Sequence, residues 1–287
     1  MSARFGTGGN CKDFYDAGNK SSVQIFNWLS GHGLDLYEYQ AGRGIKCSAA
    51  TACSIKEEAQ KYSIALTIHA PYYISLSSEN EEKRHNSVSY ILQSLKFANS
   101  VGAKKIVVHA GGVGKLTRSE ALELSKLTLS NAAAAAYENK LDGIKIGLET
   151  MGKENQLGTL VEIVELCKLD KIFIPVIDFG HLYARSIGKN LLHINDYMRV
   201  FEFIEKELGT HTVKNLHCHF SKIEYTKKGE KNHLKLSDDG FGPDYEQFIE
   251  AIVKADISPD VICETAGTMT ADAKTMKDRY ALLYSAN

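Results

Sequence analysis

The apolar run at residues 63–76, SIALTIHAPYYISL, constrains this chain more than any other stretch. It reads as a buried strand, and His69-Ala70-Pro71-Tyr72 ends it. Proline has no amide proton for the ladder, so the strand stops with His69 at its carboxyl end. The same pattern recurs. KKIVVHAGG ends in His109, IKIGLET in Glu149, IFIPVIDFGH in Asp178 and His181, VKNLHCHFS in His217 and His219, and PDVICET in Glu264. Short continuous apolar runs mark parallel strands buried on both faces, and functional groups in barrels of such strands collect at the carboxyl ends. These imidazoles and carboxylates are therefore expected at one mouth.

Between the strands the period changes to 3.6 residues. Val88, Ile91, Leu92, Leu95, Ala98 and Val101 share one face and predict a helix over 86–101. Further helices are expected over 23–29, 54–62, 119–139, 197–208, 245–253 and 271–283, with another from Leu157 to Val164. Strands are expected over 4–9 and 34–39, and residues 42–53 form a candidate substrate loop. Eight strands alternating with eight helices and no linker predict an α/β fold, a single (β/α)8 TIM barrel over residues 1–287. Length alone would favour two domains, but single barrels of about 250 residues are common and the even rhythm decides for one. Residues 221–244 read as a long polar loop. Such loops are usually functional or disordered, and this one is read as functional because it carries His233.

Charge and cysteine usage exclude some classes of function. With 34 Lys+Arg against 35 Asp+Glu, the net charge of −1 argues against general polyanion affinity, so any nucleic-acid contact must be a local basic rim. No apolar run approaches the roughly 20 residues of a membrane span, and the opening MSARFGTGGN lacks a signal-peptide core. A cytoplasmic protein is expected. Its six cysteines show no CxxC pair and read as free thiols.

Divalent ions such as zinc take imidazole and carboxylate ligands on rigid positions. His69, His109, Glu149, Asp178, His181, His217 and Glu264 are the candidate ligands, while His233, on the long loop, reads equally as a solvated histidine. A lone strand-end histidine is usually a hydrogen-bonded structural group. Many in phase are different, because buried charges are rare without a partner or a metal. Glu149 and Glu264 are also the candidate catalytic acid–base pair. His217 and His219 share one strand face, and only one need bind metal; His217 is taken as the ligand and His219 as its support. Tyr72 and Tyr73 at the mouth are candidate stacking surfaces. Arg43 and Lys222 complete the candidate substrate-binding set.

These motifs together resemble the endonuclease IV family of apurinic/apyrimidinic endonucleases, from RFGTGGN near the start to ICETAGTM near the end. His69-Ala70-Pro71-Tyr72 resembles its third-strand motif, His109-Ala110-Gly111 its His-Pro-Gly, and Glu149 stands where its Glu-Asn-Thr begins. Asp178 and His181 match Asp-x-x-His, His217 with Ser221-Lys222 matches His-x-Asn-Asp-Ser-Lys, and Glu264-Thr265 matches Glu-Thr-Pro. The resemblance implies a zinc-dependent hydrolase of DNA repair that cleaves DNA 5′ to abasic sites through a metal-activated hydroxide. It implies one ion on His69, His109 and Glu149, a second on Glu149, Asp178, His217 and Glu264, and a third on Asp178, His181 and loop ligands. Three positions depart from the family. Lys231 stands where an Asp would hold the third zinc, so two or three ions are expected; Glu230 could substitute only along a different loop path. Tyr73 replaces a leucine wedge, and Arg43 is a displaced counterpart of a second-strand arginine.

The alternative is a single-metal sugar isomerase or epimerase of the xylose-isomerase-like superfamily, for which Glu149, Asp178, His217 and Glu264 would suffice. A barrel that binds without turnover is a third reading. The expected partner is DNA with an abasic site, with no membrane and no obligate protein partner.

Overall fold

The computed structural model describes residues 2–285. Strands β1 (Arg4–Gly8), β2 (Leu36–Gln40), β3 (Ala65–His69), β4 (Lys105–His109), β5 (Lys145–Glu149), β6 (Phe173–Asp178), β7 (His217–Phe220) and β10 (Asp260–Cys263) are joined in that order into a closed barrel, all neighbours parallel. Helices connect them on the outside, giving the single α/β barrel expected. Two further strands, β8 (Lys222–Thr226) and β9 (Gly229–Leu234), form an antiparallel hairpin beyond the carboxyl end of β7. Residues 221–244 are therefore not one long loop: their first half is a hairpin, whose turn is closed by Gly229 at φ +93°. Among the described residues no helix is long and apolar enough to cross a membrane.

A strand has a period of two, and closure of the sheet gives each residue a choice between the helices outside and the lumen inside. The outward set is marked by its ring contacts with the helices. Phe5 meets Tyr280, Tyr37 meets Phe26, Tyr39 meets Phe97, and Phe220 stacks on Phe248 with centroids 4.8 Å apart. Each such pair contributes about 0.5–1.5 kcal/mol beyond its burial. The alternate residues then face inward: Glu38, Thr67, His69, His109, Glu149, Asp178, His217 and His219 all have lumen parity.

Two helices begin a turn or more before the apolar periodicity does. Ala49–Lys61 starts behind Ser48, whose side chain accepts from the Thr51 amide, and Glu81–Val101 starts behind Asn80, which accepts from Lys83. The candidate substrate loop is shortened accordingly, because residues 49–53 are helical.

The loop after β5 is tied down by two arginines. Arg185 donates to the carbonyls of Met151, Lys153, Glu154 and Gln156, and Arg118 to those of Glu154 and Gln156. Arg118 also makes a bidentate pair with the buried Glu162, at 2.5 and 2.8 Å. Glu162 accepts from the Gly158 and Thr159 amides as well, closing a capping box with Thr159. Burial alone would raise its pKa; the Arg118 fork and the two amides overcome it and bring it down to about 2. Glu162→Gln should therefore cost about 1–3 kcal/mol at neutral pH. A depressed folded-state pKa stabilises only above the unfolded value. Urea denaturation should show the full difference above about pH 5 and its disappearance as the pH falls toward 2.

Candidate metal centre

Histidine and acid donors gather in four groups: three adjoin at the carboxyl end of the barrel, and Glu38, His217 and His219 form a fourth deeper in the lumen. In the first, His69 Nε2 and His109 Nε2 lie 3.3 and 3.1 Å from the same oxygen, Glu149 Oε2. His69 Nδ1 donates to the Ala70 carbonyl at 2.9 Å, which leaves Nε2 with its lone pair toward Glu149. Two acceptors in contact need a cation, a proton or a metal, between them.

In the second cluster Glu149, Asp178, His219 and Glu264 each bring a donor atom within 4.8 Å of the others. His219 Nδ1 is 3.3 Å from Glu149 Oε1 and 3.6 Å from Glu264 Oε2. Asp178 ends β6 and caps the next helix, its Oδ1 accepting from the His181 amide at 2.7 Å. Its other oxygen, Oδ2, is buried with no hydrogen-bond partner. An orphaned carboxylate oxygen among such donors is what a divalent ion would satisfy, so this donor set fits a metal.

The third cluster is His181, Glu230 and His233. His181 Nδ1 donates to the Thr150 carbonyl at 2.9 Å and directs Nε2 to Glu230 Oε2, 3.4 Å away. Its Nδ1 also lies 3.4 Å from Glu149 Oε1 and from Asp178 Oδ2, so this cluster adjoins the second. His233 is held through Nδ1 by the Ser221 hydroxyl at 2.9 Å.

The electrostatics describe a site short of positive charge. Burial works against a charged His69, yet the bond to Glu149 and the charges of Glu149, Glu38 and Glu264 raise its pKa to about 9. His181 is likewise lowered by burial and then lifted, by Asp178, Glu149 and Glu230, to about 10. Burial pushes Glu149 up, but His219, His109 and His181 hold it well below the carboxylate range. Asp178 moves the other way, raised by burial and by Glu149 and Glu264 against the pull of His181. Imidazoles here retain protons because the acids demand cations, and a divalent ion would displace those protons.

Two expectations need correction. His219, not His217, joins the four-donor cluster. Interstrand register decides this: His219 pairs with Asp178 at the end of β6, whereas His217 pairs with Val176, two residues and about 6.6 Å deeper. His217 Nε2 instead contacts Glu38 Oε2 at 2.9 Å. Lys231 is not at the site either; it faces solvent and pairs with Glu224 at 2.6 Å. A bulge opposite Glu224 and Tyr225 shifts the phase of β9. Glu230 and His233, three apart, therefore share a face that residues two apart would otherwise share.

Of the expected substrate-binding residues, Tyr72 and Tyr73 are 63% and 43% exposed beside the Gly42–Gly44 turn that carries the exposed Arg43. Lys222 donates to the Asp238 carbonyl at 2.6 Å and braces that segment. The residue missed in the sequence is Glu38. Its signal was local: in LDLYEYQ it alternates with Tyr37 and Tyr39, so a carboxylate faces the lumen wherever the tyrosines face the helices.

The third cluster depends on a close backbone approach. A Cβ on Gly152 would lie 2.7 Å from Glu230 Cβ and 3.1 Å from His181 Cδ2. Gly152→Ala should thus push Glu230 off His181. Elemental analysis of the variant should find one metal equivalent fewer than in the wild type, with unchanged far-ultraviolet dichroism; full uptake would remove Glu230 from the ligand set.

A family model described as a xylose isomerase-like TIM barrel matches residues 26–284. An uncharacterized protein of Methanocaldococcus jannaschii is 34% identical over 81% of this chain and 82% of its own length. A probable endonuclease 4 of Mycoplasma genitalium is 29% identical over 71% of this chain and 67% of its own. Among solved structures, a D-tagatose 3-epimerase-like protein superposes with a TM-score of 0.71 at 22% identity, covering 93% of this chain and 96% of that one. Endonuclease IV from Thermus thermophilus does so with a TM-score of 0.68 at 16% identity, covering 92% and 94%. At these identities the structural likeness speaks for the fold alone. Because the family model spans seven of the eight barrel strands and all of the donors named above, this chain belongs to the xylose isomerase-like TIM barrel family.

Proposed function

We propose that this protein is a zinc-dependent phosphodiesterase of the endonuclease IV kind, cleaving DNA 5′ to abasic sites. The observation that carries this reading is the number of donor clusters: three adjoin at one mouth, and Glu149 belongs to two of them. A single-ion reaction has use for one. Displacement at a phosphate has use for several, because charge builds on both the attacking and the leaving oxygen. Similarity to the probable endonucleases 4 of Mycoplasma genitalium and Aquifex aeolicus, at 29% and 28% identity, supports it.

In this reading His69, His109 and Glu149 would hold one ion, Glu149, Asp178, His219 and Glu264 a second, and His181, Glu230 and His233 a third. When bound, the ions supply Lewis-acid charge to the phosphoryl group and acidity to water at neutral pH. The chain's own groups do the rest. Glu264, with Gln40 Nε2 3.5 Å from Oε1 and His219 Nδ1 3.6 Å from Oε2, would orient water and take its proton. Tyr72 and Tyr73 would stack on the exposed base or sugar, worth about 1–3 kcal/mol per base, and Arg43 would meet a backbone phosphate. The six free thiols suit the reducing cytoplasm.

One observation favours a second reading, a sugar epimerase. Glu149 and Glu264 approach the same nitrogen, His219 Nδ1, from different strands, as two carboxylates exchanging a proton across one ion would. Protein purified without chelator should contain two to three zinc ions and nick a duplex bearing an abasic site, with nicking that weakens steeply as salt rises. One bound ion, no nicking and epimerisation of ketoses would establish the second reading instead.

A further inference from the structure

We propose that the amino end of the barrel is a second binding site, which takes a small organic carboxylate: its anionic head meets lysines of the barrel floor and its apolar body lies against the wall beside them. The site is remote from the metal centre and does not depend on the chemistry at the mouth.

A cavity of about 750 Å³ lies at this end. Arg4, Lys105, Lys145, Phe173 and Asp260 line it, and they are the first residues of β1, β4, β5, β6 and β10. In a barrel of parallel strands, first residues share one end. Along β5, Lys145 stands four residues, about 13 Å, from Glu149. No donor of the three mouth clusters is among the described residues that line the cavity. His217 and Glu38, whose side chains are 0% exposed, fill the lumen between. The volume is that of small-molecule sites, which run from roughly 300 to 1,000 Å³.

Charge is unbalanced here in the sense opposite to the mouth. Four cations line the cavity, Arg4, Lys105, Lys145 and Lys171, against one carboxylate, Asp260. That carboxylate is already engaged. Its Oδ1 accepts from Arg4 Nε at 2.7 Å, and its Oδ2 from Arg4 Nη2 at 2.9 Å and from Lys105 Nζ at 2.6 Å. Lys145 Nζ has a neutral acceptor instead, the Lys171 carbonyl at 2.8 Å. Among the described residues no carboxylate pairs with Lys145 or Lys171. A half-buried ammonium is costly without an anion, and the open space beside Lys145 is where one would sit.

The remaining wall selects what the anion carries. Phe173, Ile174, Pro175, Leu208 and Leu216 line the same cavity with apolar surface. An inorganic anion would leave that surface in water, whereas a hydrocarbon chain or ring would cover it. Asp260 limits the charge: a phosphate dianion would share the cavity with its carboxylate, while a monoanion matches the two ammonium groups that lack an ion pair.

Calorimetric titration with octanoate, octanol and inorganic phosphate tests this. Octanoate should saturate at one equivalent and bind at least tenfold more tightly than octanol or phosphate. Lys145→Met, which keeps the stem and removes the charge, should weaken octanoate about 10- to 100-fold. Lys171→Met, on the exposed turn before β6, should weaken it a few-fold and serves if Lys145→Met does not fold. Metal content should match wild type in both variants. Octanoate affinity within twofold of wild type in every folded variant would overturn the proposal, because the carboxylate would then bind elsewhere. Loss of metal together with octanoate would overturn it too, by placing the ligand at the mouth. Octanol binding as tightly as octanoate would show that charge is not recognised, and tighter binding of phosphate that the apolar wall is not; either result, or no saturable uptake of octanoate by the wild type, would sink the proposal.

Discussion

Carboxylate–imidazole contact in a closed lumen is the interaction on which the rest of this structure depends. Glu38, Glu149 and Asp178 are buried inside the barrel, and what faces them is histidine: His69, His109, His181, His217 and His219. Histidine can meet an acid as a neutral N–H donor, as a cation, or as a neutral ligand beside it on a metal, whereas lysine and arginine meet it as cations. An interior built this way is stable with protons in place and ready to exchange them for a divalent ion. Exposure rises along the axis, from 0% for the Glu38 and His217 side chains to 18% for Glu264 and 25% for His109, so the rigid end is dry and the reactive end is open.

The barrel alone does not complete the site. The third cluster exists because the β8–β9 hairpin folds back over the loop after β5, and glycine makes that approach possible. A Cβ on Gly229 would lie 2.2 Å from the Gly152 carbonyl oxygen, and one on Gly152 would strike Glu230. The loop is fixed from its other side by Arg118 and Arg185, and Arg185 ends the helix that begins beside His181. Packing of the loop and placement of the donors are thus one event.

Much of the fold was legible residue by residue. Strand ends at His69, His109, Glu149 and Asp178 follow from short apolar runs stopped by proline, glycine or a charged group, and these are local signals. Helix starts at Ser48 and Asn80 were harder, because the first turn of each helix is polar and shows no apolar period. The hairpin was harder still, since a short polar ribbon such as KIEYT carries little hydrophobic contrast. Glu38 sat in plain alternation, yet the two histidines it meets lie about 180 residues away.

The sequence by itself determined which chemical groups stand at the strand ends and that they share one interior, because a period of two and a proline stop are properties of each strand alone. Only the tertiary structure decided that His219 and not His217 stands level with Asp178, and that Glu230 rather than Lys231 faces His181. The first depends on the register between β6 and β7 and the second on a bulge in β9, and both are set by how distant segments meet when the barrel closes.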